Sequence, residues 1–314
     1  MKKEYNILNY FNMRSLFLGV GLSKILIDAK ELFWLALILG TILGILILKF
    51  IHLDLKNKVI NTLIASIFFA IGLTFLLNMI ATMYLTETPK FFIGIPLILL
   101  IIYILSKKEI VLFRISSILI VINVFLFMAM FLSLIHSVDF INFSYTNTPL
   151  KNVLFASLEY ALFSTVPTMI TRHKKFSDTS LIKTYIVSSI TMGLLFFLTY
   201  GMLGPYLIET YRYPEYIILK EVTFFETLAN LENFISFIWI FDVLIFLVSC
   251  GNTIKKSINN EKITFTIIIL LLFIVSYLNK FYEYIITTYK YTFFILLICS
   301  SLLYLFNRKT HQDD

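Results

Sequence analysis

Apolar runs of membrane-spanning length follow one another along almost the entire sequence. A helix that crosses the roughly 30 Å hydrocarbon core of a bilayer needs about 20 mostly apolar residues. Ten runs meet this description: 10–28, 31–52, 59–84, 91–106, 110–136, 150–171, 182–204, 231–251, 262–279 and 284–306. The pattern predicts an all-α membrane protein with about ten transmembrane helices, in a single integral membrane domain over residues 1–314.

The composition excludes a water-soluble fold of this length. Hydrophobic residues make up 59% of the 314 residues and charged residues only 14%, whereas soluble domains carry roughly 45–50% and about 25%. The net charge of +7 does not indicate nucleic-acid binding, because the basic residues stand in short clusters between apolar runs. Such clusters orient membrane proteins. We therefore expect contact with membrane lipids and none with nucleic acid.

The basic residues are concentrated in alternate connections between the runs. Eighteen of the 26 fall on one predicted side: Lys2, Lys3, Arg14, Lys49, Lys56, Lys58, Lys107, Lys108, Arg114, Arg172, Lys174, Lys175, Lys183, Lys255, Lys256, Lys262, Arg308 and Lys309. Because Lys and Arg are enriched in cytoplasmic loops, this asymmetry predicts a multi-pass membrane protein with both termini in the cytoplasm.

Signatures of soluble enzymes are missing from the sequence. It contains no Walker loop, Rossmann glycine fingerprint, zinc-protease motif or nucleophile elbow. Cys250 and Cys299 form neither a zinc-site nor a disulfide pattern. We therefore expect no enzyme activity, catalytic residue, cofactor or metal site, and function is expected to depend on polar features at membrane depth.

Two glycines stand near the middle of the first run, in Gly19-Val20-Gly21. Glycine weakens a helix, and an opened helix exposes amide and carbonyl groups that can bind a substrate or an ion. Gly19, Val20 and Gly21 are therefore candidate ligand-binding residues. Close packing of helices through small residues is an equally good explanation of the pattern.

A carboxylate lies near the middle of the sixth run, and a proline follows it. A charged side chain at the bilayer centre costs roughly 2.5–3.5 kcal/mol on insertion scales, so it normally faces protein or water. Glu159 is therefore a candidate ligand-binding residue, together with the neighbouring Ala156 and Ser157. Pro167 is expected to bend the helix just below them. The alternative role of Glu159 is a structural ion pair with a lysine such as Lys24 or Lys290.

Asp242 in the eighth run is a candidate ligand-binding residue by the same argument, with a buried structural pair as the alternative. Asn123 in the fifth run is a milder polar candidate, of a kind that more often bonds a neighbouring helix. The first and sixth runs begin two halves, about 10–136 and about 150–306, which have opposite orientation. Interrupted helices in corresponding positions of two halves indicate a transporter-type site where the halves meet.

The longest connection on the side opposite the basic clusters covers residues 205–230. Its Tyr213-Pro214-Glu215 is followed by apolar residues that partly follow a helical period. We expect a partly helical segment on the membrane surface, acting as a partner or gating surface. An ordinary loop is an equal alternative.

Three stretches of the chain resemble the permease-like B subunits of bacterial spore germinant receptors, in the amino acid–polyamine–organocation transporter superfamily. They are Leu16–Ser23 with the following Asp28 and Glu31, the sixth run over 153–167, and the ordered series Tyr200-Gly201, Tyr213–Lys220, Leu231-Glu232 and Phe237-Ile238-Trp239. Two positions depart from the family pattern, since Asn230 replaces an arginine and Ile25-Leu26-Ile27 stands where a proline is frequent.

The resemblance implies ten helices arranged as two inverted five-helix repeats, with helices 1 and 6 unwound around a pocket at the bilayer midplane. It implies the membrane subunit of a spore nutrient-germinant receptor, located in the cell membrane or the inner spore membrane. Such a subunit binds an amino acid or similar small nutrient and contacts other receptor subunits. A proton-coupled amino acid transporter is the alternative, with Glu159 or Asp242 carrying the proton. A membrane scaffold that has lost the pocket is the third hypothesis.

Overall fold

The computed structural model describes residues 2–17, 21–50, 58–144, 148–171, 178–211, 213–221 and 231–277. Within these ranges the chain is helical and contains no strand. The helices are α1 (Lys2–Arg14), α2 (Leu22–Ala29), α3 (Phe33–Phe50), α4 (Lys58–Met83), α5 (Lys90–Ser106), α6 (Glu109–Leu134), α7 (Leu150–Thr171), α8 (Asp178–Thr210), α9 (Pro214–Leu219), α10 (Leu231–Ile258) and α11 (Glu261–Tyr277).

The helices coincide with the predicted runs. Each run from the second to the ninth contains one long helix, and the first contains the end of α1 and all of α2 except its last residue, Ala29. The tenth run, 284–306, lies outside the described residues. By length and hydropathy alone, four described segments can cross a membrane: Leu22–Lys49, Lys58–Met83, Glu109–Ser137 and Thr179–Thr210. The all-α class and the presence of several helices of membrane-spanning character are therefore confirmed.

Polar contacts between helix ends define one end of the bundle, which we call the N-terminal end. Asn6 of α1 donates to Ser180 of α8 at 2.6 Å. The Lys255 ammonium of α10 donates to the Leu105 carbonyl of α5 at 2.8 Å, and Lys256 pairs with Glu109 of α6 at 2.8 Å. The starts of α1, α6 and α8 therefore lie beside the ends of α5 and α10.

A second set of contacts defines the opposite end of the bundle. The Thr148 hydroxyl, just before α7, donates to Glu31 at 2.9 Å. Lys30 pairs with Glu209, near the end of α8, at 3.4 Å, and the Tyr84 and Ser236 hydroxyls are hydrogen bonded. Successive connections thus alternate between the two ends, as a multi-pass chain requires.

Helices α3 and α7 pack closely because α3 presents a glycine to α7. A Cβ at Gly40 would lie 2.7 Å from the Ser157 carbonyl oxygen and 2.9 Å from Tyr160 Cβ. One turn further along α3, a Cβ at Gly44 would overlap the Tyr185 hydroxyl of α8. The spacing of four residues puts both glycines on one face, and small residues at that spacing are typical of tight helix contacts in membranes.

A kink in α8 is stabilised by the segment that precedes α7. Pro205 has no N–H, so it cannot donate to the Gly201 carbonyl four residues earlier. That carbonyl instead accepts from the Asp139 amide at 3.0 Å and from Asn142 Nδ2 at 2.7 Å. Gly204 has φ 66° and ψ 173°, a conformation that essentially only glycine adopts. The freed backbone group is therefore satisfied inside the protein.

The predicted interruption of the sixth run is wrong. Helix α7 is continuous from Leu150 to Thr171, with Pro167 inside it. Its residues from Glu159 to Met169 are all buried, and a proline is tolerated in a helix whose neighbours and hydroxyl side chains compensate for the lost hydrogen bond. The Thr168 hydroxyl, directly after the proline, donates to the Thr165 carbonyl at 2.6 Å. Packing therefore keeps helical a segment that its proline alone would interrupt.

The 205–230 connection is helical in part, as predicted. Its first residues continue α8 to Thr210, and α9 follows over Pro214–Leu219, whereas residues 222–230 lie outside the described part. Five of the six residues of α9 are buried, and the helix contacts α8, α10 and α2. Its apolar face therefore packs onto the bundle, which corrects the expectation that this segment lies as an open surface on the membrane.

Candidate functional site

The α-helix of the first run is interrupted between Arg14 and Leu22, where the sequence places Gly21. The Gly21 amide donates to the Leu16 carbonyl at 3.3 Å. This spacing of five residues is that of a π-turn, a wider turn that is frequent at functional sites. Regular α-helix therefore ends at Arg14 and resumes at Leu22, and Gly21 itself has helical dihedral angles (φ −64°, ψ −33°). Gly19 and Val20 lie outside the described residues, so the unwinding of the backbone over Gly19–Gly21 stays a prediction.

The interruption lies against α7 and α8 through an aromatic cluster. The Phe17 ring stacks on Tyr160 of α7, with centroids 4.9 Å apart and an angle of 27°. Phe163 of α7 and Phe196 of α8 each lie 6.2 Å from Phe17. The four rings are fully buried or nearly so. The interrupted segment is therefore positioned by packing on the same turn of α7 that carries Glu159.

Glu159 is fully buried, and its carboxyl group has no hydrogen-bond partner in the described part of the chain. Its exposed fraction is 0%, and this absence holds for both carboxyl oxygens. A buried polar group without a partner costs about 1–3 kcal/mol, and a charged one more. Such a group is unusual in a native protein, and it makes Glu159 the candidate for direct contact with a ligand.

Helix α2 brings two further charges near Glu159. Lys24 and Asp28 both act electrostatically on its carboxyl group. These two residues form an ion pair with each other, one helical turn apart. The alternative ion pair between Glu159 and Lys24 is therefore not formed, and Lys290 lies outside the described residues. Lys24 is paired with Asp28, and Glu159 carries the additional negative charge.

Glu159 and the interruption lie at a similar depth in the bundle. At about 1.5 Å per helical residue, Arg14 is about 18 Å from Lys2 at the N-terminal end, and Glu159 is about 14 Å from Leu150 at the opposite end. The hydrocarbon core is roughly 30 Å thick. Arg14, the last residue of α1, and Glu159 therefore each lie at about half of that thickness from the end of the bundle where their helix begins.

Asp242 belongs to a different buried cluster, centred on Arg14. Arg14 Nη2 lies 3.7 Å from Asp242 Oδ2. Arg14 Nη1 donates to Asn123 Oδ1 at 3.0 Å and to the Tyr10 hydroxyl at 2.5 Å. Asn123 Nδ2 donates to Asp242 Oδ1 at 3.3 Å, and Tyr10 donates to Thr191 of α8 at 3.3 Å. The Arg14 cluster thus joins α1, α6, α8 and α10.

The Arg14 cluster changes two interpretations of the sequence. Arg14 is only 1% exposed, so its assignment to a cytoplasmic connection is wrong. Asp242 is equally buried and has an internal cation as its partner, which is the structural alternative given for it above. Asn123 bonds neighbouring helices, as expected of an asparagine in a transmembrane run. Asp242 is therefore placed with Arg14, although its Oδ2 has no hydrogen-bond partner in the described part of the chain.

The other candidates on α7 lie beside α3. Ala156 and Ser157 are buried, and the Ser157 hydroxyl donates to the Leu154 carbonyl of its own helix at 2.7 Å. The Ser157 carbonyl faces the position of Gly40. The Ser157 hydroxyl thus already has a partner, and the residue itself contributes to helix packing. Among the three candidates on α7, Glu159 is the one whose polar side-chain atoms have no partner in the described residues.

The sequence analysis missed two features around the site. The buried role of Arg14 was indicated by its position inside the apolar run 10–28, five residues before the glycine pair. The close approach of α3 to α7 was indicated by Gly40 and Gly44, two small residues four positions apart. Neither signal specifies a partner helix, since the apolar runs carry hydrophobic residues on every face.

Comparison with known proteins adds no identification. No protein-family model matches the chain, and no curated protein matches it. The resemblance to the germinant-receptor permeases therefore stays a prediction based on the three stretches named above.

Proposed function

We propose that the chain is the permease-like membrane subunit of a spore nutrient-germinant receptor, which binds an amino acid or a similar small nutrient beside Glu159 and the interruption of its first helix. The observation that carries the proposal is a fully buried carboxyl group with no hydrogen-bond partner in the described residues, next to a widened turn at Gly21. Binding would shift the bundle between two states and signal to other receptor subunits.

The proposed architecture is the ten-helix bundle of two inverted repeats that the resemblance implies. The interrupted first helix supports this architecture. Helix α7 is continuous, so its polar contribution to the site is the Glu159 side chain rather than an opened backbone. Asp242 is not part of the proposed ligand site, because Arg14 is its partner. Gly19, Gly21 and Glu159 remain its proposed members.

The proposed topology has both termini in the cytoplasm and can be tested by cysteine labelling. In a background with Cys250 and Cys299 replaced by alanine, a cysteine at Glu209 should react with an impermeant maleimide added outside intact cells. A cysteine at Lys108 should react only after permeabilisation, because Lys108 lies at the N-terminal end of the bundle and Glu209 at the opposite end. The reverse pattern would overturn the orientation.

Replacing Gly21 with leucine is expected to abolish nutrient binding while the bundle still folds. A Cβ at Gly21 would lie 3.0 Å from the Leu16 carbonyl oxygen and 3.1 Å from Phe17 Cδ1, so a leucine must displace the segment that packs beside Glu159. The measurement is the rise in the unfolding temperature of the purified protein with each of the twenty L-amino acids. We expect at least about tenfold weaker binding, or about 1.4 kcal/mol.

Gly193→Leu is the matched control for this substitution. A Cβ at Gly193 would meet only Leu37, at an ordinary 3.6 Å, so binding should stay within about twofold of wild type, or ~0.4 kcal/mol. Unchanged binding by the Gly21→Leu variant would place the ligand elsewhere. No rise with any amino acid for the wild-type protein would contradict the proposed function itself.

Proton-coupled amino acid transport is the second candidate, and the unsatisfied carboxyl group of Glu159 is the observation that favours it. A carboxylate that is unpaired inside a transmembrane bundle is typical of proton pathways. Uptake of labelled amino acid into proteoliposomes, driven by an inward proton gradient, separates the two candidates. A transporter shows accumulation that Glu159→Gln removes, whereas a receptor binds its nutrient without accumulation.

A further inference from the structure

Two described charges of α2 act on the Glu159 carboxyl group, one from Lys24 and one from Asp28. Lys24 contributes one positive charge, and Asp28 and an ionised Glu159 contribute one negative charge each. These three groups together carry one negative charge. Lys24 is already paired with Asp28 on the same helix face. An ionised Glu159 is therefore a buried anion whose neighbourhood favours the arrival of one cation.

Protonation alone does not satisfy Glu159. A protonated carboxyl group has a hydroxyl donor and a carbonyl acceptor, and neither oxygen has a hydrogen-bond partner among the described residues. Removing the charge therefore still leaves two unsatisfied polar atoms in a fully buried position. The occupant that suits this site brings hydrogen-bond donors together with its positive charge.

A metal ion would also supply positive charge, but it requires several ligand atoms around it. Hard cations such as Ca²⁺ and Mg²⁺ take about six or more oxygen ligands. The described part of the chain contains no group of three or more His, Cys, Asp or Glu side chains that could hold a metal ion. An ammonium group needs no such shell, because it is a compact cation with three donors and forms strong, charge-assisted hydrogen bonds with a carboxylate.

We propose that Glu159 binds the ammonium group of the ligand, so that the nutrient class is a primary amine and, for an amino acid, the amino group is the recognised end. This proposal rests on the proposed function and narrows its ligand class. A site whose buried polar group depends on the ligand's N–H donors discriminates strongly against analogues that lack them.

The test compares ligands that differ only at the amino group. Alanine, leucine and phenylalanine are each paired with the 2-hydroxy acid of the same carbon skeleton and with the decarboxylated amine. Binding to the full-length protein in detergent is measured by isothermal titration calorimetry and by the unfolding temperature. At least one of the amino acids is expected to bind, its amine to retain measurable binding, and its 2-hydroxy acid to bind about 100-fold or more weakly.

Glu159→Gln should remove this discrimination, and Glu209→Gln is its matched control. Both substitutions replace a carboxylate with an amide of the same shape, but Glu209 is half-exposed and pairs with Lys30 at the opposite end of the bundle. We expect amino acid binding to fall at least tenfold in Glu159→Gln and to stay unchanged in Glu209→Gln. The unfolding temperature without ligand shows that each variant is folded.

Each contrary result has a distinct meaning. If the 2-hydroxy acids bind as tightly as the amino acids, ammonium recognition is wrong and nutrient binding stands. The same holds if Glu159→Gln binds amino acids with wild-type affinity. If Na⁺ or K⁺, compared with choline, stabilises the protein only when Glu159 is present, the occupant is a metal ion and the proposal is overturned. If none of the nine compounds binds, both the ammonium proposal and the amino acid site fail.

Discussion

Replacing Arg14 with methionine is expected to lower the free energy of unfolding by about 3–5 kcal/mol, because it leaves Asp242 buried without its cation. Both residues are 1% exposed, and Asn123 is the remaining described donor to Asp242. Because methionine keeps much of the volume of the arginine stem, the decrease in the free energy of unfolding reports the missing charge rather than lost packing. The measurement is equilibrium unfolding of the purified protein in mixed micelles.

The companion variant replaces both charges. Once a buried ion pair is removed as a unit, no uncompensated charge remains, and apolar replacements of similar volume are often neutral or stabilising. Arg14→Met combined with Asp242→Leu should therefore be more stable than Arg14→Met alone, by about 2 kcal/mol or more. A loss in the double variant that equals the sum of the two single losses would show that the two side chains do not interact.

The exposed pair between Lys30 and Glu209 supplies the control for this experiment. Its side chains are 37% and 49% exposed, and the charged atoms are 3.4 Å apart. Ion pairs of this kind contribute about 0–1 kcal/mol. Glu209→Gln should therefore change stability by a few tenths of a kcal/mol, and a much larger change would mean that the unfolding assay responds to any loss of charge.

The positions of the helices could be predicted from the sequence because a helix that crosses the bilayer must be mostly apolar over the whole length of the hydrocarbon core. The ends of α4, α5 and α6 fall within a few residues of the predicted runs. The interruption near Gly21 was also predictable, since glycine weakens a helix wherever it stands. Both conclusions depend on local properties of the chain.

Properties that depend on partners could not be predicted in the same way. The sixth helix was expected to be interrupted, but packing around α7 keeps it continuous through Pro167. Arg14 was counted with the cytoplasmic clusters, although Asp242, 228 positions later in the chain, holds it inside the bundle. A charged residue near the end of an apolar run fits either a loop or a buried pair, and only the position of its partner distinguishes the two.

Which helices pack against each other could not be predicted from the sequence either. A helix that is apolar on every face gives no periodic signal for the face that it buries. The contact between α3 and α7 depends on a single missing side chain, at Gly40, where the backbone of α7 approaches. This contact also sets the position of α7, and therefore of Glu159, relative to the interrupted first helix.

Gly40→Ala is expected to destabilise the bundle by about 1–3 kcal/mol, the usual effect of adding a methyl group to a closely packed interface. The new Cβ would lie 2.7 Å from the Ser157 carbonyl oxygen, a backbone atom that moves only with α7. The sign is informative, because alanine favours a helix over glycine by about 0.8–1.0 kcal/mol. A net loss of stability therefore means that the unfavourable contact at the α3–α7 interface outweighs the gain in helix propensity.

Gly193→Ala in α8 makes the same chemical change where there is room for it. Its Cβ would meet only Leu37 Cδ1 at 3.6 Å, so the propensity gain should appear as a neutral or stabilising effect of up to about 1 kcal/mol. The two alanine variants are thus expected to shift the unfolding midpoint in opposite directions or by clearly different amounts. Equal effects would mean that α3 does not pack on α7 through Gly40.

Since Ser157 and Tyr160 flank Glu159 on α7, displacement of α7 in Gly40→Ala should also weaken amino acid binding, whereas Gly193→Ala should leave it unchanged.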